Sequence, residues 1–252
     1  MNRSDAWYAT VQHYRAWLFA DGGFSLKYQA SGEFTPELVR RMARYYSVSR
    51  TIPSVVSTDD KQKPGADRNR QIVADELNNL AAHWPERLTD RSERIIVSAQ
   101  SVRTRIGKGY PPYSALSKFI WFARGENWTP YDFLASAGMS AGGNTSVEKI
   151  RAFYSALKPH LPVLVERMQP VCDTSGFTLR SEKIADIFLM LRGARRVRPD
   201  FASDLIAGCD DFMALLPSDV AERLDACGRQ ISELLTPDAL PQLPLLPGIS
   251  ER

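Results

Sequence analysis

Helix start signals recur along nearly the whole chain, and they restrict its fold more than any other feature. Thr35 followed by Pro36 has the pattern of an N-cap with proline at the first helical position. Thr145 and Glu148 have the spacing of a capping box. Apolar residues between such signals recur at helical spacing, and no alternation of apolar and polar residues lasts long enough to indicate a sheet. The chain is therefore predicted to be all-α.

Glycine predicts where two of these helices end. The first helix is capped by Ser4 or Asp5 and is expected to stop at Gly22-Gly23. A long apolar helix begins at Ser181 and is expected to close at Gly193. Both predictions assume that each glycine adopts the left-handed conformation that ends many helices.

A polar stretch divides the chain into regions of different composition. Residues 57–70 are polar and contain Pro64-Gly65, which is typical of a loop or linker. This places an N-terminal helical subdomain at 1–56 and a main helical domain at 71–235. Residues 236–252 are rich in proline without a helical period, and we expect an extended or disordered tail.

Bulk properties limit the classes of protein that fit. The chain has 252 residues, enough for one large domain or two small ones to bury a core. The net charge is only +3, so a nucleic-acid partner has to be argued from local basic clusters. The three cysteines lack the spacing of a zinc site or a disulfide framework, which favours a reducing compartment. With no signal-peptide pattern and no long apolar run, we expect a cytoplasmic protein without a metal, a cofactor or a membrane partner.

One segment, residues 103–134, carries a pattern suited to DNA chemistry. Gly107-Lys108-Gly109 forms a glycine-rich turn, and Ser114-Ala115 begins the apolar helix that follows. Trp128-Thr129-Pro130-Tyr131-Asp132 then forms a turn that ends in a carboxylate. Glycine lets backbone N–H groups approach a phosphate closely, and a helix N-terminus adds partial positive charge there.

On these motifs the segment resembles the helix-hairpin-helix DNA glycosylase superfamily. The resemblance implies an orthogonal multi-helix bundle and a hairpin that binds the DNA backbone. It also implies that Asp132 corresponds to the family's essential aspartate. In the family this aspartate stabilises the cationic sugar, or helps to activate the nucleophile, when a flipped-out base departs.

The hairpin departs from the family pattern at two places. Tyr110-Pro111 corresponds to a two-residue insertion, and Tyr113 stands just before Ser114, where bifunctional glycosylase-lyases keep a lysine nucleophile. Without that lysine, Schiff-base lyase chemistry at this position is excluded. The activity that the resemblance implies is therefore that of a monofunctional hydrolase.

The same residues also have structural interpretations. Asp132 follows Thr129 by three residues, with Pro130 between them, so a capping-box carboxylate explains it without catalysis. Gly107 and Gly109 can be the C-cap and turn of two consecutive helices. The aromatic residues nearby sit at helical spacing and are predicted to be core rather than base-stacking platforms. They are Trp121, Phe122, Trp128 and Tyr131.

Two basic clusters can supply charge for DNA binding. One flanks the hairpin, and the other lies at a helix C-terminus, where the macrodipole also favours cations. The predicted DNA-binding residues are Arg103, Arg105, Gly107, Lys108, Gly109, Arg195 and Arg196. The sequence thus indicates a DNA-binding helical protein that resembles base-excision glycosylases, with Asp132 as the single candidate catalytic residue. The alternative is a helical protein–protein interaction module in a multi-protein system, with no role for nucleic acid.

Overall fold

The structure, a computed structural model, describes residues 3–48, 52, 64–107 and 109–235, with the side chains of 64–67 excepted. Every regular element in these residues is helical, which confirms the predicted all-α class. None of the described helices is long and apolar enough to cross a membrane. A π-helical turn, Trp17–Asp21, precedes the second of the α-helices. The α-helices are α1 Asp5–Ala16, α2 Gly22–Ser31, α3 Pro36–Tyr45, α4 Pro64–Ala82, α5 Leu88–Ile106, α6 Tyr113–Arg124, α7 Phe133–Gly138, α8 Ser146–Leu157, α9 Leu161–Thr174, α10 Ser181–Val197, α11 Pro199–Leu215 and α12 Ser218–Leu234.

The predicted helix starts at α3 and α8 are confirmed by their cap geometry. The Thr35 side chain accepts a hydrogen bond of 3.2 Å from the backbone N–H of Leu38, and α3 begins at Pro36. Thr145 and Glu148 form the reciprocal capping box at the start of α8, with hydrogen bonds of 3.2 and 3.1 Å. Both caps satisfy N–H groups that have no partner within the helix itself.

Two predicted helix ends are wrong. The helix does not stop at Gly22-Gly23 but continues through the π-helical turn into α2, which ends at Ser31 and is capped by Gly32 with φ 70°. The helix that begins at Ser181 passes through Gly193 and ends at Val197. Neither Gly22-Gly23 nor Gly193 has the positive φ that a glycine C-cap requires, whereas Gly32 has it.

The chain folds into two compact units. The first unit comprises Met1–Trp17 and Asp132–Arg252, and the second unit comprises Leu18–Tyr131. These bounds differ from the predicted division into 1–56 and 71–235. The difference arises because α1 packs against α10, α11 and α12, while α2 and α3 pack against α4 or α6.

Only part of the predicted linker, and none of the predicted tail, lies within the described residues. Residues 64–70 of the predicted 57–70 loop belong to α4, which begins at Pro64 because proline is well tolerated in the first helical turn. Residues 57–63 and the predicted tail 236–252 lie outside the described residues.

The first unit is organised around α10, which packs against α1, α7, α9 and α11. Its side chains Ile184 and Leu191 are fully buried. Glycines bring α7 very close to α10: a Cβ atom on Gly193 would lie 2.6 Å from the backbone nitrogen of Gly138 and would also overlap the carbonyl oxygen of Leu134. No side chain larger than hydrogen fits at Gly193 without displacing one of the two helices.

The second unit is organised around α6, which packs against α2, α3, α4 and α5. Leu116, Phe119 and Ile120 of α6 are fully buried. The ring of Phe24 on α2 makes an edge-to-face contact with Phe122 of α6, with centroids 5.7 Å apart. This packing fixes α5 and α6 against the other helices of the unit, and so fixes the ends of the turn between them.

Candidate nucleic-acid interface

The turn from α5 to α6 is built on two glycines in the left-handed region. Gly107 has φ 82° and Gly109 has φ 81°, values that residues with a Cβ atom rarely adopt. The N–H of Gly107 donates a hydrogen bond of 2.9 Å to the carbonyl oxygen of Arg103, so this glycine forms the C-cap of α5. The amide of Gly107 is thus used within the chain. Lys108, between the two glycines, lies outside the described residues.

The second half of the turn is fixed by its two prolines. The carbonyl oxygen of Pro111 accepts a hydrogen bond of 2.9 Å from the N–H of Tyr113, and that of Pro112 accepts one of 2.9 Å from the N–H of Leu116. Each proline ring also restricts φ, so few backbone conformations are open to this part of the turn. Tyr110, which comes just before them, has 85% of its surface exposed.

Two predicted DNA-binding arginines lie in the last turn of α5 and already make contacts within the second unit. Arg103 Nε donates a hydrogen bond of 3.3 Å to the carbonyl oxygen of Gly109, across the turn. The guanidinium of Arg105 lies 3.4 Å from a carboxylate oxygen of Asp75 and 3.6 Å from one of Glu76. Both arginines remain exposed, so they place positive charge beside the turn.

The other two predicted arginines belong to the first unit and tie its helices together. Arg195 Nε donates a hydrogen bond of 2.8 Å to a carboxylate oxygen of Asp5, which links α10 to α1. Arg196 donates to the carbonyl oxygen of Ala137 at 3.0 Å and to Ser140 Oγ at 2.7 Å. These contacts give Arg196 a structural role at the C-terminal end of α7, where a cation also meets the negative end of the helix dipole.

Asp132, the predicted catalytic carboxylate, is the N-cap of α7. Its Oδ1 atom accepts a hydrogen bond of 2.9 Å from the N–H of Leu134, and the side chain is half-buried. The capping box predicted for Thr129 and Asp132 requires a helix that starts at Thr129 or Pro130, and this is wrong because α7 begins only at Phe133. A capping box between Thr129 and Asp132 therefore does not form, and Asp132 caps the helix directly.

The segment before Asp132 is held in a non-helical conformation by α6. The Oγ atom of Ser117 accepts a hydrogen bond of 3.0 Å from the N–H of Tyr131 and donates one of 3.2 Å to its carbonyl oxygen. Trp128 and Thr129 are fully buried. With its backbone bonded to a side chain and its side chains in the core, this segment cannot form the predicted first helical turn.

The aromatic residues of the segment are core residues, as predicted. Trp121, Phe122, Trp128 and Tyr131 are all buried. The ring of Trp128 makes an edge-to-face contact with that of Trp84, with centroids 5.0 Å apart. None of these four rings is placed to stack on a base. The exposed aromatic residue of the turn is Tyr110. The family pattern identifies it only as part of an insertion, although its position between glycine and proline is a signal of a turn.

Titratable residues elsewhere in the described chain form no metal site. No group of three or more His, Cys, Asp or Glu side chains in these residues can hold a metal ion. Cys172, Cys209 and Cys227 are buried free thiols. Burial raises the pKa of the Cys172 and Cys209 thiols to about 12, which keeps them protonated and unreactive at neutral pH.

Comparison with known proteins gives no relative for this chain. No family model matches it, and neither the curated proteins nor the solved structures contain a significant match.

Proposed function

We propose that the chain binds duplex DNA through the turn between α5 and α6, residues 107–113, by contacts with backbone phosphates. The observation that carries this proposal is the pair of left-handed glycines in an exposed turn that directly follows the basic last turn of α5. Glycine leaves room for a phosphate to approach the backbone, and Arg103 and Arg105 supply positive charge beside it. The resemblance of the segment to the helix-hairpin-helix pattern supports the same role.

The existing contacts of these arginines do not oppose DNA binding. Arg105 and Asp75 expose nearly half of their side chains, and their closest atoms are 3.4 Å apart. An exposed ion pair of this kind contributes about 1 kcal/mol or less, because water screens it. Exchanging the contact with Asp75 for a phosphate therefore costs little, whereas release of counterions from DNA favours the complex. Glu76, the second carboxylate near Arg105, keeps its hydrogen bond of 3.1 Å from Ser101 Oγ.

Base excision is not part of this proposal, because it depends on Asp132 and not on the turn between α5 and α6. The hydrogen bond from Leu134 and the position at the start of α7 give this carboxylate a sufficient structural role. We therefore propose DNA binding without assigning chemistry to Asp132.

The test is equilibrium binding of a labelled duplex as a function of salt. We expect affinity to fall steeply between about 50 and 200 mM salt, because each phosphate contact releases counterions. Arg105→Ala and Lys108→Ala should each weaken binding, and by the same factor for DNA of any sequence. Each should also reduce the salt slope, the slope of log K against the logarithm of salt concentration, by about 1. Arg40→Ala is the matched control, since Arg40 is paired with Glu37 on α3 of the same unit.

Two results would count against this function. One is an absence of binding at the lowest salt. The other is an equal effect of the Arg40, Arg105 and Lys108 substitutions, which would show attraction by net charge rather than by the turn.

A protein-interaction surface on the π-helical turn and α2 is the second candidate. Phe19 and Leu26 expose 72% and 67% of their surfaces. Gly23, which lies between them, and Ala30, which follows Leu26, are also exposed, and the four residues recur at helical spacing. Large and small residues therefore alternate along the face. If a second copy packs antiparallel, Gly23 faces the partner's Leu26 and Phe19 faces the partner's Ala30, so the face is complementary to itself.

The size of this face sets the strength of such a dimer. It comprises four residues, against the roughly 20 to 30 that each partner contributes to a typical stable complex, so we expect association only at high concentration. Sedimentation equilibrium of the wild type should show a dimer that Leu26→Glu abolishes. Leu215→Glu, at a leucine of α11 that is even more exposed, should leave it intact. A monomer at every concentration would reject this candidate.

A further inference from the structure

Tyr110 is the most exposed of the large hydrophobic side chains in the described chain, with 85% of its surface accessible. It lies in the turn between α5 and α6, next to Gly109 with its φ of 81°. On the other side, Pro111 restricts the backbone and its carbonyl oxygen is bonded to the N–H of Tyr113. The ring is thus presented by a turn whose backbone is constrained on both sides.

A second constraint comes from Arg103. Its Nε atom is bonded to the carbonyl oxygen of Gly109, the residue before Tyr110. This contact ties the turn to the last turn of α5 and places the Arg103 guanidinium beside Gly109. Because these contacts hold Gly109 and Pro111, on either side of Tyr110, the residue loses little backbone freedom when it binds, and its side chain has only two rotatable torsions to fix.

The chemistry of the ring indicates what it can contact. An exposed aromatic face beside positive charge is the arrangement with which proteins hold the bases of nucleic acids, because rings stack and cations meet phosphates. Bases inside an intact duplex are already stacked on one another. Opening a step to admit a side chain costs a few kcal/mol, and the cost is least where a base is unpaired or missing its partner.

We propose that Tyr110 stacks on a DNA base and directs the chain to sites where the duplex is interrupted by an unpaired or mismatched base. This inference rests on the proposed DNA binding and adds a substrate preference to it. The turn supplies two different contacts: the arginines and backbone hold phosphates without regard to sequence, and Tyr110 senses whether a base is free to stack. Affinity for intact duplex comes from the first contact, and preference for interrupted duplex from the second.

The test compares a perfect duplex with the same duplex carrying one unpaired base, for wild type, Tyr110→Ala and Tyr110→Phe. The wild type should prefer the interrupted duplex by between about fivefold and a hundredfold, the range expected for stacking of one base on one aromatic ring. Tyr110→Ala should abolish that preference, whereas Tyr110→Phe should keep it because the ring remains. The salt slope should be the same in all three proteins, since no charge is removed.

Further measurements separate this inference from its alternatives. A 2-aminopurine in place of the unpaired base should lose fluorescence on binding wild type but not Tyr110→Ala, because stacking quenches it. Phe19→Ala, which removes an exposed ring from another part of the second unit, should behave as wild type.

Three results would overturn the inference. Salt-dependent binding with the same preference in Tyr110→Ala would reject the role of Tyr110 and leave the proposed DNA binding standing. An absence of DNA binding in the wild type would reject both. A change of sedimentation in Tyr110→Ala, with no change of DNA binding, would assign the ring to a protein contact instead.

Discussion

His13 Nε2 accepts a hydrogen bond of 2.9 Å from the backbone N–H of Arg180, inside the first unit. A ring nitrogen that accepts a hydrogen bond carries no proton, so His13 is neutral in the folded protein. Burial lowers its pKa from 6.5 to about 3, and the positive charges of Lys183 and Arg180 act in the same direction. A fully buried histidine therefore makes the stability of this unit sensitive to acid.

This pKa predicts the direction of the pH dependence. Between pH 6.5 and about 3 the unfolded state binds a proton that folded His13 does not, so stability is complete above 6.5 and is lost as the pH falls. By pH 5 we expect a loss of about 2 kcal/mol from this residue. Urea unfolding of wild type and His13→Gln across this range isolates the effect, since the amide keeps an acceptor but does not titrate. Parallel curves for the two proteins would contradict it.

The contact of α7 with α10 predicts that Gly193 cannot be replaced. In Gly193→Ala the new Cβ atom would overlap the backbone of Leu134 and Gly138, and we expect a loss of about 2 kcal/mol or more in the free energy of unfolding. Gly23→Ala is the control, because a Cβ atom at that helical position meets nothing within 4 Å. It should instead stabilise the protein by about 0.5 to 1 kcal/mol. Similar effects at both positions would show that helix propensity, not packing, decides them.

The N-cap role of Asp132 predicts a stability loss that depends on its acceptor oxygen. Asp132→Ala removes the hydrogen bond to Leu134 and should cost about 1 kcal/mol, whereas Asp132→Asn keeps an acceptor and should cost less. Chemical denaturation of the three proteins measures both values. A loss equal in Asn and Ala would mean that the charge, not the hydrogen bond, matters.

The Asp132→Asn substitution also decides whether Asp132 has a catalytic role. Release of damaged or mismatched bases from a panel of duplexes is measured for wild type and Asp132→Asn. A capping role alone predicts no difference between them. A catalytic role predicts that Asn abolishes release while folding and DNA affinity stay nearly intact, because the term that is lost is electrostatic stabilisation of the transition state.

The buried thiols predict slow modification in the native state. Burial raises the pKa of Cys172 and Cys209 to about 12 and that of Cys227 to about 11, so very little thiolate exists at pH 8. Ellman's reagent should therefore react with these thiols only after denaturation. Rapid reaction of one thiol in the folded protein would show that its helix opens locally.

Part of the candidate site could be predicted from the sequence because it depends on neighbours a few residues away. A glycine that caps a helix bonds only to the turn that precedes it. In this way the N–H of Gly107 donates to the carbonyl oxygen of Arg103 and ends α5. The start of α7 could not be predicted in the same way. It depends on Ser117, fourteen residues earlier on α6, which bonds the backbone of Tyr131 and keeps the segment out of the helix.

The sequence by itself determined the helical class, the caps at Thr35 and Thr145, and the burial of Trp121 and Phe122 on α6. Each of these follows from hydrogen bonds and apolar periodicity within one or two turns of chain. Only the tertiary structure decided that α1 joins α10, α11 and α12 in the first unit, and that Gly193 is a packing contact rather than a helix end. Those outcomes depend on which distant surfaces fit closely together, and no local pattern carries that information. The residues of α1 are more than a hundred positions from those of α10, α11 and α12, and Gly193 meets residues of a different helix, α7.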